Sequence, residues 1–186
     1  MPTITKDLGK AFDVLKNGKT AVIKTDTLYG VVANALDKKA VERVYEIKGR
    51  TPSKPFLMLV PSVEFIKKHF DVQISQKEKE ILQKEGITVI LNLNTPKQLE
   101  YLHRGTNTLA FRIPAKQNLK DFIQRLETPL IAPSANPEGK EPAKTVQEAV
   151  DYFGNLIDIY VDEGKAEKKP SPIVKIKNNE IIYIRK

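Results

Sequence analysis

The chain has no cysteine and only two histidines, His69 and His103, among its 186 residues. The first absence excludes a disulfide framework and a thiolate metal centre. The second leaves zinc short of ligands unless distant carboxylates contribute, so no resident metal is expected. Long apolar runs are missing as well. No window approaches the roughly 18 residues that a membrane span needs, and the opening MPTITKDLGK carries no apolar signal core. A cytoplasmic protein with no membrane association is expected. Acidic side chains are in deficit: 31 Lys and Arg face 23 Asp and Glu, leaving +8. That balance favours anionic partners such as nucleotides or RNA without choosing between them. With 40% hydrophobic residues the length suffices for one substantial core, and one domain over 1–186 is expected.

What is there alternates between helical and strand periods. Leu8, Ala11, Phe12 and Leu15 fall on one helical stripe, and Asn17-Gly18 stops it. KTAVIKT reads as a buried strand. Asp37 then caps a helix carrying Val41, Val44, Tyr45 and Lys48 on one face, ended by Gly49. FLMLV is a second strand, closed by Pro61. Ser75 and Glu78 form a capping box, Gly86 ends that helix, and ITVILNL and TLAFRI follow as strands. Leu119, Phe122, Ile123 and Leu126 make another helical stripe, PLIA a short strand, and Thr145 with Glu148 opens a last helix. IDIYV, PIVKI and IIYIR close the chain, the final two joined by Lys177-Asn178-Asn179 as a hairpin. The class is α/β (α+β), a twisted mixed sheet flanked by helices. The polar stretch DEGKAEKKPS is expected to be a mobile loop.

Several clusters could carry chemistry. Asn17-Gly18-Lys19-Thr20 imitates the end of a phosphate loop, but Asp13 stands where the first glycine belongs and a strand follows, so it is a turn. In IKGR, Lys48 lies in the last helical turn and Arg50 just past the glycine. Taken alone, a cation there is explained by the helix dipole, worth about 0.3–1 kcal/mol. Lys54 follows in TPSKP, and three cations within seven residues can offer point charge and forked hydrogen bonds to a polyphosphate. In IAPSANPEG, Ser134 and Asn136 come directly after a strand, where open α/β sheets display ligand-binding side chains. A nucleophilic elbow is absent around Ser134. Arg112 in TLAFRIP would suit a carboxylate if it faces a pocket. Tyr29 reads as core packing, and both histidines as surface residues.

Taken in order, KTDTLYG, IKGR, TLAFRIP, IAPSAN and KPSPIV resemble in sequence and spacing the YrdC family, the threonylcarbamoyl-AMP synthases, from about Asp7 to Arg185. The resemblance implies the joining of L-threonine, bicarbonate and ATP into threonylcarbamoyl-AMP with release of pyrophosphate, towards threonylcarbamoyladenosine in tRNA. It implies a catalytic tetrad of Lys48, Arg50, Ser134 and Asn136. ATP would be held by Arg50, Lys54, Thr108, Ser134 and Arg185, and threonine by Thr27, Arg112, the backbone at Ala132, and Ser171. Magnesium would arrive with the phosphates. Partners implied are tRNA or double-stranded RNA and the proteins that transfer the threonylcarbamoyl group. Lys48 and Arg50 are expected to look across a cavity at Ser134 and Asn136. Two departures stand out: Leu59 where many relatives carry histidine, and Pro170 where a glutamate is usual. The alternatives are an RNA-binding module without catalysis, or the same fold acting on another small substrate.

Overall fold

Hydrophobic stripes at the two periods assemble, in the computed structural model, into a sheet with helices packed on it. The structure describes residues 1–167 and 169–186, with the backbone only of Pro96; Lys168, inside the expected mobile loop, lies outside the described residues. Among the described residues ten strands form one sheet. They are β1 (Ile4–Thr5), β2 (Ala21–Lys24), β3 (Tyr29–Asn34), β4 (Leu57–Leu59), β5 (Thr88–Asn92), β6 (Thr108–Arg112), β7 (Leu130–Ile131), β8 (Ile159–Val161), β9 (Ile173–Lys177) and β10 (Glu180–Arg185). Their order across the sheet is β1-β8-β2-β3-β7-β4-β6-β5-β9-β10. Parallel pairs (β2 with β8, β4 with β6, β5 with β9) alternate with antiparallel ones, so the sheet is mixed.

The helices are α1 (Ala11–Lys16), α2 (Lys38–Lys48), α3 (Val63–His69), α4 (Gln76–Leu82), α5 (Glu100–His103), α6 (Gln117–Leu126) and α7 (Val146–Phe153). The end signals named above act where expected except at Gly86: α4 stops at Leu82 with Gln83 as its C-cap, short of that glycine. The Asp37 carboxylate accepts from the backbone N–H groups of Lys39 and Ala40, and Gly49 ends α2 at φ 57°. Ser75 and Glu78 close a reciprocal capping box. Asn178 and Asn179 turn the last hairpin at φ 49° and 62°, the left-handed pair that a two-residue loop requires. Leu119, Ile123 and the central strand residues Val31, Val32, Met58, Leu59, Phe111, Leu130 and Ile131 form the core.

Three expectations need correction. Tyr29–Asn34, assigned to no element above, is a strand, buried except at its end and antiparallel to β2, so KTDTLYG is the turn of a hairpin. Its residues are buried on both faces, which leaves no alternation to announce it. Val63–His69 is a helix capped by Ser62, whose hydroxyl accepts from the Phe65 N–H; adjacency to the FLMLV strand hid its start. His103 is not at the surface. It is buried, and its Nδ1 accepts from the N–H groups of Gly105 and Asn107, tying down the turn before β6. His69 is half-buried against Phe65.

Candidate active site

The hairpin tip Thr25-Asp26-Thr27 is closed locally. The Thr25 hydroxyl donates to the Leu28 carbonyl at 2.8 Å, and the Thr25 N–H bonds the same oxygen at 2.9 Å. This leaves Thr27 and Asp26 pointing back towards β6. There Arg112, buried to 3% exposure, donates from Nη1 to the Thr27 hydroxyl at 3.1 Å and forms an ion pair through Nη2 with Asp26. The Asp26 carboxylate also accepts the Ala115 N–H at 3.2 Å. Arg112 Nε is buried without a hydrogen-bond partner among the described residues. An unfilled donor of this kind in a native interior points to a ligand or a water.

That arginine forms part of the wall of a cavity of about 140 Å³, lined also by Thr27, Tyr29, Leu57, Leu59, Ala132, Ser134, Pro170, Ser171 and Arg185. All four residues assigned to threonine by resemblance, Thr27, Arg112, Ala132 and Ser171, therefore meet in one place. Both departures, Leu59 and Pro170, lie in the same wall. The Ser171 hydroxyl shares a hydrogen bond of 2.9 Å with Thr88. The Tyr29 hydroxyl donates to the Gly164 carbonyl at 2.7 Å and accepts from the Glu163 N–H, so this side chain holds the 163–164 segment beside the cavity. Burial pushes its phenol up to about 12.

A second cavity of about 300 Å³ adjoins the first, lined by Arg50, Pro55, Phe56, Thr106, Thr108, Ala110 and Ile173, and it shares Leu57, Ser134 and Arg185 with the first. Arg50 is held in shape by donating to the carbonyls of Lys54 and Pro55 and by lying over the Phe56 ring. Arg185 reaches in because a register shift between Tyr183 and Arg185 breaks the β9–β10 ladder. Such a bulge re-aims a side chain. The guanidinium donates twice to the Ser171 carbonyl, at 3.0 and 2.7 Å, on the ridge between the cavities.

The tetrad divides in two. Arg50 and Ser134 face cavity space, whereas Lys48 and Asn136 stand behind the wall. Lys48 is only 2% exposed, and its Nζ donates to the carbonyls of Ser134 and Asn136. It does not look across a cavity at the Ser-Ala-Asn turn; it is packed against that turn, because a cation at the buried face of α2 must find acceptors. Burial, followed by repulsion from Arg50, lowers its ammonium to about 7. The Asn136 side chain accepts from the Ser134 hydroxyl at 2.6 Å and donates to the carbonyls of Pro137 and Lys140. Lys54 lies outside both cavities, paired with Glu138. Asp26 and Glu138 are assigned no role from the sequence. Asp26 sits inside a quoted motif, but Glu138 is 84 residues from its partner and no local pattern marks it.

Comparison with known proteins places the whole chain in one family. The Sua5/YciO/YrdC family profile, described as telomere recombination, matches residues 13–186. A putative threonylcarbamoyl-AMP synthase of Methanocaldococcus jannaschii is 35% identical over 172 residues, 91% of this chain and 80% of that protein. The threonylcarbamoyl-AMP synthase of Pyrococcus abyssi is 35% identical over 158 residues, but this chain spans only 45% of its length. The crystal structure of P. abyssi Sua5 complexed with L-threonine superposes on the whole chain with a TM-score of 0.86 at 25% identity, covering 57% of that protein. The profile spans nearly the whole chain, and the chain belongs to the Sua5/YciO/YrdC family.

Proposed function

We propose that the chain makes threonylcarbamoyl-AMP and pyrophosphate from L-threonine, bicarbonate and ATP. The observation that carries this reading is the junction of the two cavities at Ser134 and Arg185. The smaller has the volume and the buried arginine suited to a small amino acid; the larger has the volume, Arg50 and Thr108 suited to a nucleotide. Support from relatives is in kind: proteins with this name share a third of its residues.

The chemistry assigns each group a task. Arg112, held by Asp26 and Thr27, takes the threonine carboxylate on its free Nε. Threonine's amine, directed towards the junction, adds to CO2 drawn from bicarbonate and loses a proton, giving a carbamate. A carbamate oxygen then attacks the α-phosphorus; the new P–O bond forms as the bond to pyrophosphate breaks, and negative charge gathers on the leaving group. Arg50 and Arg185 supply preorganised positive charge there, while Ser134 and Thr108 hydrogen-bond the nucleotide. Lys48 and Asn136 position Ser134 from behind. Magnesium would arrive on the ATP phosphates as part of the substrate. The product passes to tRNA threonylcarbamoyl transfer proteins in the cytoplasm, and the charge of +8 suits a tRNA at the same surface. No helix of the described residues is long and apolar enough to cross a membrane.

The test is pyrophosphate release with each substrate omitted in turn. Release that needs L-threonine and bicarbonate together is expected. Release from ATP that ignores threonine overturns the assignment, and tight RNA binding with no response to ATP favours a binding module.

A further inference from the structure

Beside the larger cavity, a carboxylate sits where an anion would be welcomed. The turn after α2 is closed by the Lys54 N–H on the Thr51 carbonyl at 3.1 Å, and the Arg50 side chain braces it from within by bonding the carbonyls of Lys54 and Pro55. Three donors converge on its outer side: the Thr51 N–H, the Thr51 hydroxyl and the Lys54 ammonium. Glu138 takes all three. Its Oε2 accepts from the Thr51 N–H at 2.6 Å and from the Thr51 hydroxyl at 2.8 Å, and its Oε1 pairs with Lys54 Nζ. Glu138 is also fixed through its backbone, whose N–H donates to the Lys48 carbonyl at 2.9 Å. A backbone N–H, a hydroxyl and an ammonium around one anion form the donor set that holds phosphate oxygens.

We propose that Glu138 is an internal stand-in for a phosphoryl group, occupying an anion cradle in the Thr51–Lys54 turn that an incoming polyphosphate takes over by displacing it. This rests on the nucleotide reading only in saying that the polyphosphate is normally that of ATP. The cradle adjoins Arg50, so the distal phosphates of a nucleotide in the larger cavity can reach it while the base and ribose remain inside. Exchange is feasible because the pair is open to water: the side chains of Lys54 and Glu138 are 56% and 26% exposed. Hydrogen bonds from Lys54 and Thr51 hold the Glu138 carboxyl down at about 2, so the stand-in stays charged throughout the range in which the protein works. Lys54 therefore has two anions to choose between, and Glu138 makes polyphosphate affinity lower than the bare cradle would give.

Binding of inorganic tripolyphosphate, followed by calorimetry at fixed salt without threonine, bicarbonate or turnover, tests this. Exposed ion pairs of this kind set the scale, and Glu138→Ala should bind about five-fold more tightly than the unaltered chain. Glu138→Gln, which keeps an acceptor for Thr51 but loses the charge, should tighten in the same direction. Lys54→Ala should weaken tripolyphosphate binding and abolish the gain in Glu138→Ala. Thermal melts identify a variant that has not folded, in which case Glu138→Gln decides. Unchanged or weaker binding in folded variants, or no tripolyphosphate binding by any of them, overturns the proposal. Because no synthase step enters, competition would persist in a protein that failed the pyrophosphate test. A working synthase with no competition would remove the cradle alone.

Discussion

At Arg112 a single side chain has two jobs that can be separated. It neutralises Asp26 in the interior and, on the proposed function, offers its unpartnered Nε to threonine. Arg112→Ala strands a buried carboxylate, which costs about 3–5 kcal/mol of stability. Adding Asp26→Asn should return most of that stability, read from denaturant melts, while the stabilisation of the protein by added L-threonine stays lost. Recovery of the threonine response in the double variant would show that Arg112 is structural alone. Lys48 makes a second prediction through its lowered ammonium. The unfolded chain keeps this proton to about its ordinary 10.5, and the folded chain only to about 7. Between those values the unfolded state binds more protons, so this group's contribution to stability rises with pH across that window. Melting temperatures between pH 6.5 and 9 should climb more steeply for the unaltered chain than for Lys48→Met; parallel curves would contradict the burial of an ionisable lysine. The types and order of these residues were legible from the sequence, because the motifs quote them. Which of them face the ligand was not: Lys48 and Asn136 turn out to hold Ser134, and orientation of that kind depends on contacts some 86 residues apart.

Elements deliver these side chains, and short-range signals set the elements. The Asp37 cap starts α2, and Lys48, Gly49 and Arg50 are its other end. Asp37→Ala should cost about 1 kcal/mol and, by loosening the last turn against Ser134, weaken ATP binding; a full loss of stability without effect on ATP would break that link. Gly30 shows the opposite kind of constraint. A Cβ there would lie 3.2 Å from the Pro133 carbonyl oxygen, where β3 bridges the Ser134 turn. Gly30→Val should therefore push that turn outward and reduce ATP and threonine binding together, measured by thermal shift. Caps, stripes and the Asn178-Asn179 hairpin were readable because each is a local event. Strand β3 and helix α3 were not, since one lacks alternation and the other begins at once after a strand. The bulge that aims Arg185 is invisible in IIYIR, as it arises from pairing with β9.

On the scale of the whole molecule, four separated segments of the chain meet around the two cavities. These are the hairpin tip, the IKGR turn, the Ser-Ala-Asn turn and the end of β6, and the final hairpin adds Arg185. Alternating periods announced a mixed sheet with helices on it, but strand order rests on long-range pairing that no window of sequence contains. Arg50 and Arg185 line the larger cavity, while Arg112 is paired with Asp26. The most direct measurement of the account is a structure of the chain with L-threonine and a non-hydrolysable ATP analogue bound together. The expected result has the threonine carboxylate on Arg112 in the smaller cavity, the α-phosphate at the junction beside Ser134, and the triphosphate running past Arg50 and Arg185. A nucleotide bound elsewhere, or threonine with its carboxylate away from Arg112, would contradict it.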